Sequence, residues 1–293
     1  MAASAEALNV KGTRTDVASL LRSEPFLLAC ATLAATLFAF WPYLSAIPGK
    51  WWFADDTYYA HGAIIPFCTA FIVYSRWDRI KDTPVRGFWP ALVLLIPVLY
   101  LTWVASRTVM WFVTSMCFLA ALCLGTWFVA GGRWLMRLGP AILYLAFCLP
   151  LWRVVIDQFT PRLQWISSTG AYAMLKLLGL GPWREQANVI QLPNYTLNVA
   201  EPCSGLKLTL AVVAICVFFM LVAHLRWWGN LTLAVLAVPI SMAVNSLRIG
   251  MIGIVGNTWG EHAGQSFHDT SGYIGLVVCF FILYWLTKKL GWK

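Results

Sequence analysis

Charged side chains are scarce in this sequence. Only 11% of its 293 residues are Asp, Glu, Lys or Arg, and 12 acidic residues stand against 21 basic ones. Because 60% of the residues are hydrophobic and 17 are tryptophan, the chain has too few polar residues for a water-soluble globular domain. This composition predicts a polytopic membrane protein, for which the bilayer is the solvent.

Patterns typical of metal sites and disulfide frameworks are also missing. The chain contains four histidines and no Cys-x-x-Cys pair, so a zinc site would need scattered ligands. Seven of the eight cysteines lie inside apolar runs, where a thiol behaves as a small hydrophobe. We therefore expect no metal, no cofactor and no disulfide framework. Cys203 is the exception, because it lies at the edge of an apolar run.

Eight apolar windows can cross a bilayer, which needs about 20 mostly apolar residues for each helix. They cover residues 26–46, 60–76, 88–106, 108–130, 134–152, 204–224, 228–248 and 270–287. The first window is too long for the core of a signal peptide, so we interpret it as a span. The prediction is an all-α polytopic membrane protein with about eight transmembrane helices, forming one domain over residues 1–293.

The distribution of basic residues favours one orientation in the membrane. With the segment 1–24 in the cytoplasm, 13 of the 21 Lys and Arg residues lie in inner segments and 8 in outer ones. Cytoplasmic loops of membrane proteins carry this excess. Both termini are therefore predicted to be cytoplasmic, in the inner or plasma membrane of the cell. The net charge of +9 then reflects topology and gives no support to nucleic-acid binding.

The segment 153–202, between the fifth and sixth windows, is predicted to be extracytoplasmic. Residues 153–178 mix apolar and charged positions, which indicates an amphipathic helix that either guides a substrate along the membrane surface or is a packed connector. Residues 187–199 predict two short strands around the turn at Pro193 and Asn194. This hairpin would lead the chain to Cys203.

Cys203 is a candidate nucleophile. It lies in the run Glu201-Pro-Cys-Ser-Gly-Leu-Lys207, where a polar segment meets an apolar helix predicted to begin near Ser204. The free N–H groups and the positive dipole end of a helix N-terminus favour the thiolate, which is the reactive form. Glu201 and Ser204 can support it. Glu201 and Lys207 can equally be ordinary charges at a helix end.

The predicted topology brings further reactive side chains to the same membrane face. The seventh window ends near Asn245 and Arg248, which share a helix face, and the eighth opens near His268 and Asp269. A thiolate can attack a carbonyl, the arginine can stabilise the oxyanion, and the imidazole can give a proton to the leaving amine. Asp269 can orient His268 or favour its protonated form, or simply cap the eighth helix.

Two questions about this outer face stay open in the sequence. His262 competes with His268 for the role of acid and base, because both belong to the same outer segment and their spacing does not separate them. Residues 256–267, between the seventh and eighth windows, are expected to form a loop. Together with the hairpin, this loop would shield an acyl intermediate from water.

These motifs resemble the exosortase/archaeosortase family. The resemblance rests on the run 184–207 with its Cys-Ser-Gly element, on Asn245-Ser-Leu-Arg248, and on His268 near the head of the last helix. It also includes His61-Gly at the start of the second window, and it covers residues 55–288. Pro202 and Lys207 stand where many members carry Ala and Arg, and neither difference removes a reactive group.

The resemblance implies a membrane-embedded cysteine transpeptidase. Such enzymes cut the C-terminal sorting signal of exported proteins, which consists of a short PEP-CTERM-like motif (Pro-Glu-Pro in the common bacterial type), a transmembrane helix and a basic tail. They pass the new C-terminus to an envelope acceptor, which can be linked to lipid or polysaccharide. By motif, Cys203 would be the nucleophile, Arg248 the oxyanion contact and His268 the acid or base. His61 and Asn245 match family positions with supporting roles.

Two alternative functions differ in class or in acceptor. A transporter or channel would have ionisable groups near the middle of the bilayer, broken helices and an internal repeat. No repeat is evident in the sequence, and the polar groups cluster at the outer ends of the windows. A thiol protease would use the same residues with water in place of an acceptor molecule.

Overall fold

The protein is built almost entirely of helices. The structure, a computed structural model, describes residues 24–52, 58–199 and 205–292. The helices are α1 (Glu24–Ala39), α2 (Trp41–Leu44), α3 (Ile47–Trp52), α4 (Ile65–Ser75), α5 (Trp77–Ile80), α6 (Pro90–Arg107), α7 (Trp111–Ala130), α8 (Gly132–Tyr144), α9 (Arg153–Leu177), α10 (Leu206–Val222), α11 (Trp227–Trp259) and α12 (Glu261–Lys289). Two 3-10 turns, Ala60–Ile64 and Leu145–Cys148, precede α4 and follow α8.

The apolar helices coincide with the predicted spans. Within the described residues, α6, α7, α11 and α12 are each long and apolar enough to cross a membrane. Two helix pairs pass the same test only when each pair is taken as one segment: α1 with the α2–α3 segment, bent by 65°, and α8 with α9, bent by 63°. Shorter apolar helices occupy Ala60–Ser75 and α10. This confirms an all-α polytopic membrane protein. The count of eight crossings and the orientation stay predictions.

Helices α11 and α12 extend well beyond their predicted windows. α11 continues to Trp259, α12 begins at Glu261, and Gly260 makes the turn between them with φ +88. The prediction of a shielding loop over residues 256–267 is therefore wrong. A fall in hydropathy marks where the bilayer ends, not where a helix ends. Asp269 lies about two turns inside α12 and cannot cap it.

A small antiparallel sheet packs at one end of the bundle. Its strands β1 (Trp183–Gln186), β2 (Val189–Leu192) and β3 (Tyr195–Asn198) lie in the order β1-β2-β3. Strands β2 and β3 form the predicted hairpin around Pro193 and Asn194, which confirms it. Strand β1 was not predicted, because its four residues are mostly exposed and polar and carry no apolar alternation. We call this the sheet end of the bundle.

Helix α9 connects the bundle to the sheet and packs along α11. It buries a stripe at helical spacing that includes Ile156, Leu163 and Ala171, while Trp165 on another face is 56% exposed. Where α9 meets α11, Gly170 leaves room for the side chain of Ser246. The predicted amphipathic helix is thus present and packed. Its position at the membrane surface stays a prediction.

Helices α10, α11 and α12 share one apolar core. Buried side chains of all three meet in it: Val212, Cys216, Phe219, Leu233, Ala237, Cys279 and Leu283. Successive helices run in opposite directions through this core, so the start of α10, the second half of α11 and the first half of α12 lie next to one another. The three elements therefore surround a common space at the sheet end.

Candidate functional site

A cavity of about 310 Å³ opens where α10, α11 and α12 meet the 3-10 turn Ala60–Ile64. Its volume is at the lower end of the range for ligand pockets, about 300–1,000 Å³. Its polar lining residues are His61, Lys207, Asn245, Arg248, His268 and Asp269. Its apolar lining includes Leu208, Ala211 and Leu276 on α10 and α12. The cavity thus has a charged part, at Lys207, Arg248 and His268, and an apolar part, at Leu208, Ala211 and Leu276.

The cavity gathers the predicted site residues that the structure describes. Arg248, His268, Asn245, His61 and Asp269 all line it, although they come from three separate parts of the chain. Glu201, Cys203 and Ser204 lie outside the described residues, as does nearly all of the predicted cytoplasmic segment 1–24. Gly205, the next residue along the chain, lines the cavity.

Arg248 joins α11 to α12. Its Nε donates to Ser271 Oγ at 3.0 Å, and its Nη2 donates to the backbone carbonyl of His268 at 3.0 Å. The Ser271 hydroxyl also donates to that carbonyl, at 3.3 Å. These bonds use two of the five guanidinium N–H groups. The others are available to an oxyanion or carboxylate in the cavity.

His268 is partly exposed and faces an acidic neighbour. Its Nδ1 lies 3.2 Å from Asp269 Oδ1, and the two side chains are 27% and 68% exposed. Asp269 Oδ1 also accepts a hydrogen bond from Gln265 Nε2 at 3.3 Å. An ion pair this exposed contributes only about 0–1 kcal/mol, so the contact mainly orients the ring. When Nδ1 donates to Asp269, this contact fixes the tautomer of the neutral ring.

His262 lies elsewhere on α12. It is exposed and does not line the cavity. Six residues separate it from His268, which turns its side chain to a different face of the same helix. The geometry therefore separates two histidines that the sequence leaves equivalent.

Asn245 is a buried support for the start of α10. The side chain has no exposed surface, and its Nδ2 donates to Ser167 Oγ on α9 at 3.0 Å. Gly205 packs against the same amide, in a left-handed conformation with φ +86. Asn245 thus links α9, α11 and the residue that precedes α10. Ser167 was not predicted, because in sequence it is only one small polar residue in the buried stripe of α9.

Gly205→Ala is expected to destabilise the protein by roughly 2 to 4 kcal/mol. A Cβ at this position would lie 2.7 Å from Asn245 Nδ2 and 2.9 Å from Met242 Cε, in a backbone conformation that L residues rarely adopt. Gly139→Ala is the matched control, because its Cβ would meet no atom within 4 Å. Thermal unfolding in detergent measures both variants. Equal stability for the two would contradict the packing described here.

Lys207 makes the cavity more positive, and His61 lies beside it. The charges of Lys207 and Arg248 influence each other, and His61 interacts with Lys207 and with the backbone of Phe147. Two cations and two imidazoles therefore surround a space with one exposed carboxylate, Asp269. Such a field favours anionic forms, including a thiolate over a thiol. Lys207, predicted only as a helix-end charge, is part of the cavity.

The described residues contain no group of three or more His, Cys, Asp or Glu side chains that could hold a metal ion. The seven cysteines in this part of the chain are free thiols. His268 and Arg248 give the cavity side chains that can support proton transfer and the stabilisation of negative charge.

A bundle of apolar helices with a polar cavity at one end defines a multi-pass membrane protein with a site of its own. The model of the transmembrane exosortase family matches residues 51–285, and the chain belongs to this family. The match contains every element that lines the cavity. No curated protein and no solved structure matches the chain. Membership gives it a general role in processing sorting signals on exported proteins, which favours an enzyme over a transporter.

Proposed function

We propose that this protein is a cysteine transpeptidase that cleaves a C-terminal sorting signal and transfers the exported protein to an envelope acceptor. The observation that carries the proposal is the convergence of Arg248 and His268 at a cavity that Gly205 also lines. Gly205 follows Cys203 by two residues. Two peptide units span at most about 7 Å between Cα atoms, so the covalent chain keeps the proposed nucleophile near the cavity.

Acylation needs each of the three side chains. The Cys203 thiolate attacks the carbonyl carbon of the scissile peptide, and Arg248 stabilises the negative oxygen that forms. The C–N bond then breaks, and His268 gives its proton to the departing amine. The product is a thioester between Cys203 and the exported protein. Lys207 contributes positive charge, which favours the thiolate at the start.

Transfer reverses the proton movement. A hydroxyl or amine of the acceptor attacks the thioester carbon and loses its proton to His268. The oxyanion forms again beside Arg248, the C–S bond breaks, and the thiolate is regenerated. His268 therefore returns to its protonated form, and the enzyme is ready for another substrate.

The apolar part of the cavity suits a substrate that arrives within the membrane. Leu276 and Tyr273 belong to α12, a candidate membrane span, and Tyr273 is 73% exposed. The apolar part of the cavity therefore opens toward the surroundings of the bundle. A substrate anchored by a transmembrane helix diffuses in the same plane as the enzyme, which lowers the entropy cost of approach.

The test is to trap the thioester. Membranes containing the full-length protein are incubated with a tagged substrate that carries a Pro-Glu-Pro-type signal, and intact-mass analysis looks for a hydroxylamine-sensitive adduct. Cys203→Ala should form no adduct and leave the C-terminal tail attached. Cys216→Ala removes a buried thiol from α10 and should keep the adduct. Removal of the tail by Cys203→Ala would overturn the mechanism.

Hydrolysis is the second candidate outcome, and one observation favours it. Residues 256–267 form the ends of two helices and not the loop that was expected to cover the intermediate. Without that cover, water can reach the thioester as an acceptor. The mass of the released product distinguishes the two functions, because transfer adds the mass of the acceptor and hydrolysis leaves a free carboxylate.

A further inference from the structure

A large groove lies between α7 and α8, away from the candidate site. It has a volume of about 900 Å³. One wall comes from the last turns of α7, with Cys123 and Trp127, and the other from one face of α8, with Met136, Gly139 and Leu143. We call it the α7–α8 groove. From Gly132 to Leu143 the α8 wall is about 16 Å long, about half of the bilayer's hydrocarbon core of about 30 Å.

Contacts place this groove at the basic end of the bundle, opposite the sheet end. Arg137 on α8 donates to the backbone carbonyl of Arg79, and Arg76 donates to the carbonyl of Leu221 at 2.7 Å. Leu221 belongs to the last turn of α10, whereas the cavity described above lies at the first turn of that helix. The α7–α8 groove is therefore separate from the candidate active site.

Two arginines stand at one end of the groove, beside the turn at Gly131. Arg86 and Arg133 both line it and are both exposed. The backbone N–H of Arg86 donates to the Ala130 carbonyl at 3.1 Å, which fixes the segment before α6 against the end of α7. At Gly131, with φ +89, the carbonyl of Arg86 fills the space that a Cβ would need. The two arginines are therefore held on either side of one tight turn.

These two arginines differ from their neighbours in the contacts of the guanidinium. Within the described part of the chain, neither Arg86 nor Arg133 makes a side-chain hydrogen bond or an ion pair. Arg76 and Arg137, at the same end, both donate to backbone carbonyls. Among the residues that the structure describes, no acidic side chain lines the groove. The groove thus combines an apolar channel with two cations at its Gly131 end that no described lining residue compensates.

We infer that the α7–α8 groove binds one anionic phospholipid, with Arg86 and Arg133 on its phosphate and an acyl chain along the groove. An arginine fork matches phosphate geometry, and basic pockets between membrane helices attract anionic headgroups. The length of the groove matches one leaflet, so an acyl chain can follow it while the headgroup stays at the interface. In a zwitterionic lipid the headgroup's own cation would compete with the arginines.

The test compares lipids retained by the purified full-length protein in native mass spectrometry, after release from nanodiscs with equal phosphatidylglycerol and phosphatidylcholine. We expect the wild type to retain one phosphatidylglycerol preferentially. The double variant Arg86→Gln/Arg133→Gln should lower this preference about tenfold. The control Arg79→Gln/Arg226→Gln removes two exposed charges from the same end without altering the groove, and should change the preference less than about twofold.

A second variant tests the groove itself while both arginines remain. Gly139→Leu projects a side chain from α8 into space where a Cβ would meet no atom within 4 Å, so it should fold and should also displace the lipid. Retention of the lipid by Gly139→Leu would mean attraction to the surface charge alone and would overturn the inference. Equal competition by glycerol phosphate, which has the headgroup chemistry and no acyl chain, would overturn it as well.

Discussion

Arg248→Gln is expected to slow acylation by a sorting-signal substrate about 100- to 1,000-fold, the effect of removing one oxyanion donor in a desolvated site. Arg248 lines the cavity and is held by Ser271 and by the His268 carbonyl, so its remaining N–H groups are preorganised. Preorganisation matters because donors that are already in place cost no reorganisation when charge develops. Single-turnover thioester formation in membranes measures the effect.

Arg248→Lys separates charge from geometry. Lysine keeps the positive charge but loses the planar fork, so we expect a rate between those of the wild type and Arg248→Gln. Arg153→Gln is the control, because that side chain is 86% exposed and its Nε makes only a long contact, 3.9 Å, with Asp157 Oδ2. A matching loss of folded protein in Arg248→Gln would indicate that its bonds between α11 and α12 explain the effect. Unchanged acylation would remove Arg248 from the mechanism.

The sequence predicts the large elements of this fold because bilayer spans leave a strong signal. Helices long and apolar enough to cross a membrane lie at four of the eight apolar windows, and the Pro193-Asn194 turn marks the hairpin. The failures occur where the bilayer signal stops. Residues 256–267 are polar enough to suggest a loop, yet they continue α11 and open α12, because helix formation does not require apolar residues. Hydropathy predicts how deep a residue lies in the membrane more reliably than it predicts where a helix ends.

The candidate site, too, could be predicted from the sequence only in part. Topology could predict that Arg248 and His268 share a face, because each lies near the end of a predicted span. The contacts that organise them could not be predicted. Ser271 matters through its bond to Arg248, and Ser167 through its bond to Asn245 across 78 residues of sequence. Pairings of this kind depend on the rotation and height of packed helices, which a hydropathy pattern leaves undetermined.

His268→Gln is expected to slow acylation by a peptide substrate about 100-fold or more, whereas His262→Gln should leave the rate unchanged. The two histidines lie on one helix and present the same chemistry, but His268 lines the cavity and contacts Asp269, whereas His262 is exposed outside it. Each variant therefore serves as the other's control. The measurement is again single-turnover thioester formation.

The leaving group separates the roles of His268 and Arg248. A peptide must lose an amine, which needs a proton, whereas an ester with an acidic alcohol can lose its leaving group unprotonated. His268→Gln should therefore regain most of its rate on such an ester. Arg248→Gln should stay slow, because the oxyanion forms with either substrate. If His268→Gln were equally slow on both substrates, the imidazole would act before the leaving group departs, as the base that generates the thiolate.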